Sequence, residues 1–136
     1  MATRYTHTNL TKVPDSAPDL GAADWQESRF ASQEMGSTQV GATHHRFKPG
    51  KRQGFAHRHD ESEEFYVVLS GTGRVKIDDD ILEVKPLDAL RVPADMLRAW
   101  EAGPDGLEVL AFGARVNGDG ERIPSDAEIV PDWWTD

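Results

Sequence analysis

The sequence contains no cysteine, which excludes disulfide bonds, thiolate metal ligands, iron–sulfur clusters and a cysteine nucleophile. It has no apolar signal core at the N-terminus and no run of about 18 apolar residues. Positive charge is scarce, since 15 lysines and arginines stand against 24 aspartates and glutamates, for a formal net charge of −9. These absences predict a cytoplasmic protein whose partners are neither nucleic acids nor membranes.

The 136 residues are enough for one domain with a single core. Residues 1–35 are polar and contain Pro14 and Pro18, so we expect an N-terminal arm with one short helix near DWQESRF. Residues 36–116 carry short β-type runs separated by glycine, proline and aspartate, which predict the body of the domain. Residues 117–136 are expected to form a C-terminal tail that packs on this body.

The body is predicted to be all-β, because its apolar residues alternate over short runs spaced as in a sandwich or barrel. Within these runs, FYVVL is apolar on both parities and predicts a central strand covered on both faces. In the tail, SDAEIV predicts a helical turn opened by Ser125, followed by Trp133 and Trp134 plugging a groove. The predicted strands are TQVGATHHRF, FAHRH, EEFYVVLSG, GRVKI, ILEV, ALRV, LRAWEA and LEVLAFG.

The stretch HRHDESEEF contains the candidate metal ligands. His57 and His59 are two residues apart, so in a strand both side chains point to one face. The turn DESE can return the chain antiparallel, which would bring Glu64 beside them. Two imidazoles and a carboxylate suit Fe(II), with Mn, Zn, Ni and Co as other divalent transition metals that the set could hold.

The segment HRHDESEEFYVVLSG resembles the first motif of the cupin superfamily, with His57, His59, Glu64 and Gly71 at the motif positions. Gly50 lies one residue further upstream than the motif glycine. The resemblance implies a double-stranded β-helix, or jelly-roll, barrel with its site in the barrel mouth. It also implies a metal held by the two histidines and the glutamate, and a homodimer.

The second motif of that family is degraded here. Alignment on Pro93 places Leu87 and Asp95 where the family has glycines, and Ala102 where it has asparagine. Arg98 stands where the fourth metal ligand, a histidine, belongs. A guanidinium stays protonated and has no lone pair to give to a metal, so this set of ligands is incomplete.

Three arrangements of Arg98 stay open from the sequence. The histidines and Glu64 could keep the metal while Arg98 holds an anionic ligand. The guanidinium could instead replace the metal and pair with Glu64, an arrangement slightly favoured because a fixed cation repels a metal. In the third, Arg98 points outwards and Leu97 or Ala99 points inwards.

Strand parity extends the candidate site to further residues. Tyr66 shares parity with Glu64, and Trp100 and Met96 share parity with Arg98. On the preceding strand we expect His45 to point inwards. The predicted ligand-binding residues are therefore Arg98, Tyr66, Trp100 and His45, with core packing as the alternative role of the aromatic pair.

Three functions fit these residues. The first is a small metal-binding protein with a pocket for a small anionic molecule, as a dioxygenase- or isomerase-like enzyme. The second is a metal-free module that binds or senses a ligand through Arg98. The third is a non-catalytic dimeric barrel. Whether the protein is an enzyme stays open at this point.

Overall fold

The computed structural model describes residues 4–115 and 126–135. Within them, eight strands pair into one sheet in the order β1-β2-β7-β3-β8, and β4 adds β5 and β6 by pairing with β5, β6 and β7. The prediction of an all-β fold is confirmed. The strands are β1 Gln26–Phe30, β2 Val40–Phe47, β3 Phe55–His59, β4 Glu64–Ile77, β5 Asp80–Val84, β6 Ala89–Val92, β7 Arg98–Ala114 and β8 Ala127–Pro131.

The helical content is one short α-helix, α1 (Ala31–Met35), and two single turns of 3-10 helix at Leu10–Lys12 and Pro18–Leu20 in the described part of the chain. None of its helices is both long enough and apolar enough to cross a bilayer.

Two pairs of predicted strands are joined into long, bent strands. In β4, EEFYVVLSG and GRVKI are continuous, and the register with β7 shifts on either side of Gly71. Gly71 has φ +77, and a Cβ there would come within 2.0 Å of the carbonyl oxygen of Gly106 in β7. Only a residue without a side chain permits this close approach of the two strands.

The short helix predicted near DWQESRF lies just after that stretch, since residues 26–30 form strand β1 and helix α1 follows at Ala31–Met35. β1 pairs with β2 antiparallel and buries Gln26, Ser28 and Phe30 on one face. Two of these three inward residues are polar, so the alternation did not look like that of a strand with an apolar face. The N-terminal arm thus supplies part of the barrel.

Two further expectations are corrected. β4 is central, between β6 and β7, but its FYVVL segment is not covered on both faces, since Phe65 and Leu69 are exposed. Residues 127–131 form strand β8, paired with β3, and not a helical turn. Ser125, the predicted cap, lies outside the described residues. β8 holds the tail against β3 by backbone pairing.

The two terminal tryptophans lie against the barrel. Trp134 is buried with Ala56 and Ala99, and the Arg52 guanidinium lies 4.3 Å from the centre of its ring system. Trp133 lies under the ammonium group of Lys76, at 4.5 Å. These cation–π contacts anchor the end of the chain beside β3.

Leu87 occupies a turn position that normally requires glycine. Asp88 donates its backbone N–H to the Lys85 carbonyl at 3.0 Å, with Pro86 and Leu87 as the central residues of the turn. Leu87 has φ +72, the left-handed conformation that the third position of a type II turn demands. The degraded motif therefore keeps the backbone shape that its missing glycine would favour.

Replacing Leu87 with glycine is expected to raise the free energy of unfolding by about 0.5–1 kcal/mol. Glycine relieves the strain of the left-handed conformation, and this gain is larger than the loss from the extra conformational entropy that glycine gives the unfolded chain. The side chain is 83% exposed, so little burial is lost. Urea denaturation measures the difference. Leu82→Gly in strand β5 is the control and should lower stability. A loss of stability in Leu87→Gly would contradict the strain argument.

Candidate functional site

The ends of β3 and β4 bring two histidines and one glutamate together. His57 and His59 alternate along β3 and Glu64 begins β4, across the DESE turn. Nε2 of His57 and Nε2 of His59 each lie 3.0 Å from Oε1 of Glu64. One ligand atom from each residue lies within 4.8 Å of the others, so the turn produces the cluster that the sequence predicted.

This donor set fits a divalent transition metal. Two ligand atoms that bind a metal at about 2.1 Å and at right angles are about 3.0 Å apart. The two nitrogen–oxygen separations at Glu64 have this length. Imidazole and carboxylate donors are those that Fe, Mn, Zn and Ni accept in proteins. His57, His59 and Glu64 are therefore the residues that could hold the metal.

Asp126 fixes the orientation of His59. Its Oδ1 lies 3.0 Å from Nδ1 of His59, and its Oδ2 accepts the backbone N–H of Ser62 at 3.2 Å. With Nδ1–H donated to this carboxylate, Nε2 of His59 faces Glu64 and is the nitrogen that could bind a metal. A carboxylate behind a ligating histidine is a common feature of metal sites and raises the basicity of the ligand.

The electrostatics of the cluster favour a charged Glu64. Burial raises the pKa of Glu64, but hydrogen bonds from His57 and His59 outweigh it and hold that pKa well below its usual range. Burial lowers the pKa of His57 despite this hydrogen bond. Burial also lowers the pKa of His59, but the hydrogen bonds and charges of Glu64 and Asp126 raise it overall. His59 is thus the more basic of the two imidazoles in the metal-free protein.

Arg98 lies beneath the cluster, with none of its side-chain surface exposed. Its Nη2 is 3.3 Å from Oε1 of Glu64, and its Nε donates to the Tyr66 hydroxyl at 3.2 Å. Tyr66 in turn donates to the same Glu64 oxygen at 2.6 Å. Because both imidazoles contact that oxygen directly, the guanidinium does not lie between the three candidate ligands.

The backbone explains why Arg98 stays in this position. Its Nη1 donates to the carbonyl of Met96 at 2.6 Å and is 3.3 Å and 3.4 Å from the carbonyls of Ala94 and His57. β3 and β7 pair directly at His57 and Arg98. The sequence alternative in which Arg98 points outwards is therefore wrong.

A cavity of about 70 Å³ opens beside the cluster. Its polar lining includes the three candidate metal ligands and His45, and its apolar lining includes Phe30 and Ile129. One side comes from the N-terminal residues and β1, and the other from β8. The residues that line it are Leu20, Gln26, Phe30, Thr43, His45, Gln53, Phe55, His57, His59, Glu64, Ala127 and Ile129.

The four predicted ligand-binding residues have different positions. His45 lines the cavity. Arg98 and Tyr66 are not among the residues that line it, and both contact Glu64 from below. Trp100 is buried in the core, between Phe47 at 6.0 Å and Tyr66 at 5.2 Å between ring centres. The structure thus brings Arg98 and Tyr66 to the cluster but Trp100 only to the packing beneath it.

Sequence reasoning missed four residues that shape the site. Asp126 is 62 residues beyond Glu64 along the chain, and nothing in its local pattern points to His59. Gln26, Ser28 and Gln53 form a buried chain of side-chain hydrogen bonds beside His45. The alternation of Gln26 and Ser28 could have indicated a strand with these side chains facing inwards, but both residues are polar, and an inward face is usually recognised by apolar residues.

The cupin domain profile matches residues 43–111, just over half of the sequence. The search of curated proteins finds no match.

Solved structures share the fold at low sequence identity. A cupin protein from Bacteroides fragilis is 20% identical with a TM-score of 0.66, over 88% of this chain and 98% of that one. The polyketide cyclase RemF from Streptomyces resistomycificus is 19% identical with a TM-score of 0.70, over 96% and 85%. A sugar phosphate isomerase from Silicibacter pomeroyi is 21% identical with a TM-score of 0.66, over 81% and 76%. A further structure, from Acidithiobacillus ferrooxidans, is matched over 60% of its length.

Proposed function

This chain belongs to the cupin family, and from that membership we propose that it holds one divalent transition metal through His57, His59 and Glu64 and acts on a small oxygen-bearing molecule. The observation that supports the metal is the pair of 3.0 Å contacts from the two imidazole nitrogens to one carboxylate oxygen. The jelly-roll barrel expected from the sequence is the fold of this family, and the site opens at its mouth.

The cavity limits the size of the ligand. Its volume of about 70 Å³ is far below the roughly 300–1,000 Å³ of pockets for drug-sized molecules. A carbonyl or carboxylate compound of a few heavy atoms fits, with its oxygen towards the cluster and its apolar part towards Phe30 and Ile129. A larger substrate would have to extend through the mouth.

We favour isomerase-type chemistry, in which a proton moves next to a carbonyl group. When bound, a divalent metal supplies Lewis acidity that polarises a carbonyl oxygen. The chain itself orients His59 through Asp126, keeps Glu64 ionised and shields the reacting atoms from bulk water. An isomerase and a cyclase are among the proteins of similar fold. Dioxygenase-type chemistry is the other enzymatic candidate, and a preference for iron would support it.

Metal titration tests the proposal. Chelator-treated protein should bind one equivalent of Zn²⁺ or Ni²⁺ by calorimetry. His57→Ala and Glu64→Ala should each lower the affinity by about a hundredfold or more, since each removes one of three ligands. Asp126→Asn should lower it about tenfold to a hundredfold by weakening the orientation of His59.

The matched control is His7→Ala, which removes an exposed histidine outside the cluster and should leave the affinity unchanged. Equal losses in His7→Ala would indicate nonspecific binding. A wild-type protein that takes up no metal, with stability indifferent to chelator, would overturn the proposed metal function.

One observation favours a metal-free module as the second candidate. Arg98 already supplies a positive charge 3.3 Å from Glu64, and a fixed cation at that distance weakens the attraction for a metal. In that case the ordered His57–Glu64–His59 cluster would bind a small ligand by hydrogen bonds alone. Arg98→His, which restores the family ligand, should then create or tighten metal binding.

A further inference from the structure

His45 is held rigidly at the wall of the cavity. Its ring stacks on Phe47 at 5.7 Å between centres, and Phe30 meets it edge-on at 6.4 Å. Its Nδ1 is 2.8 Å from the hydroxyl of Ser28, its register partner on β1. In the part of the chain that the structure describes, Nε2 of His45 has no hydrogen-bond partner.

A chain of hydrogen bonds behind Ser28 decides which way each proton points. The backbone N–H of Trp100 can only donate, and Oε1 of Gln53 accepts it at 3.0 Å. The amide of Gln53 therefore donates to Oε1 of Gln26 at 2.8 Å, and the amide of Gln26 donates to the Ser28 oxygen at 2.6 Å. All three polar side chains are buried, so water does not compete for these hydrogen bonds and their direction is kept.

Because the Ser28 oxygen accepts a hydrogen bond from Gln26, its own hydroxyl proton is available to donate to His45. Nδ1 of the imidazole is the acceptor within reach, and a ring nitrogen that accepts carries no proton. Burial lowers the pKa of His45 to about 4, against the attraction of Glu64 and with repulsion from His57 and His44. At neutral pH the ring is thus uncharged and has a single N–H.

From this geometry we propose that Ser28 holds His45 in the Nε2–H tautomer, so that His45 donates a hydrogen bond to an oxygen of the small molecule bound in the cavity. The ligand class is therefore one with an acceptor oxygen, a carboxylate or carbonyl compound, oriented between His45 and the cluster of His57, His59 and Glu64. The inference rests on the proposed function for the position of the ligand. The tautomer itself does not depend on a metal.

The tautomer can be measured without metal or ligand. Long-range ¹H–¹⁵N correlation spectra of chelator-treated protein at neutral pH should show protonated Nε2 and unprotonated Nδ1 for His45. Ser28→Ala should convert this pattern to a mixture, while Ser70→Ala, which removes a hydroxyl that contacts Glu108 on the outer face, should not. A protonated Nδ1 in the wild type, or an unchanged pattern in Ser28→Ala, would overturn the proposal.

The donor role is measured with acetate as the probe, on zinc-loaded and on chelator-treated protein. His45→Phe should raise the dissociation constant of acetate about tenfold in the form that binds it, the loss expected for one hydrogen bond to a charged acceptor. Ser28→Ala should raise it by a smaller factor, and Ser70→Ala should not. An unchanged constant in His45→Phe contradicts the donor role. Failure to load zinc counts against the proposed metal function. The role of His45 is then tested by the dissociation constant of acetate for the chelator-treated protein.

Discussion

Replacing Arg98 with methionine is expected to lower the free energy of unfolding by about 3–5 kcal/mol, the range for removing one partner of a buried ion pair. Methionine keeps the apolar stem of the arginine side chain but not the guanidinium, so the loss combines the missing charge and hydrogen bonds with some lost packing. The variant leaves the Met96 carbonyl without its 2.6 Å donor and Glu64 without a positive charge 3.3 Å away. Urea denaturation of chelator-treated protein at neutral pH measures the difference.

Arg91→Met is the control for this measurement. Arg91 forms an exposed ion pair with Glu63, its side chain being 61% exposed, and such pairs contribute about 0–1 kcal/mol. If Arg98→Met were no more destabilising than Arg91→Met, the guanidinium would not be part of the supporting network. Because the variant also removes a cation beside the candidate ligands, its metal affinity should rise while its stability falls. A substitution that merely disrupted the site would lower both.

Stability should decline between pH 7.5 and 4.5 because of His45. Its pKa falls from 6.5 to about 4 on folding, so in this range the unfolded chain binds a proton that the folded protein excludes. Stability from this group is complete above the unfolded pKa and is lost as pH falls towards the folded one. At about 1.4 kcal/mol per pH unit, the loss at pH 4.5 is about 2.5 kcal/mol.

The contribution of His45 is isolated by comparing wild type with His45→Gln at both pH values. The neighbouring groups whose charges act on His45, namely Glu64, His57 and His44, are present in both proteins, so their contributions largely cancel. The wild type should lose about 2.5 kcal/mol more than the variant on acidification. Equal losses in the two proteins would show that His45 accepts a proton in the folded state at its ordinary pKa.

Features that depend on neighbouring residues were predictable from the sequence. The two-residue spacing of His57 and His59 and the short turn before Glu64 place the three side chains together within an eight-residue stretch. The match to the first cupin motif then identified the family, which the profile confirms. The missing glycine of the second motif was visible as Leu87, although only the backbone shows that this residue takes the left-handed conformation.

The strand content of the ends of the chain was not predictable in the same way. Residues 26–30 are a strand because β2 offers them a free edge, and their inward residues include Gln26 and Ser28. Their polar groups are satisfied by Gln53, from the segment between β2 and β3, and by His45, from β2. A local pattern of polarity carries no information about partners that pairing brings from elsewhere.

The sequence by itself predicted an all-β domain and the three candidate metal ligands, because each depends on alternation and spacing within a few residues, and it resembled the cupin family through the first motif. The tertiary structure alone decided what supports those ligands. Asp126 reaches His59 from the far end of the chain, and Arg98 is fixed beneath Glu64 by backbone carbonyls of β3 and of the loop before β7. The contacts of Asp126 with His59 and of Arg98 with the His57 carbonyl arise from strand pairing and burial over long sequence separations, where the free energy of the whole barrel, and not local preference, selects the position of each side chain.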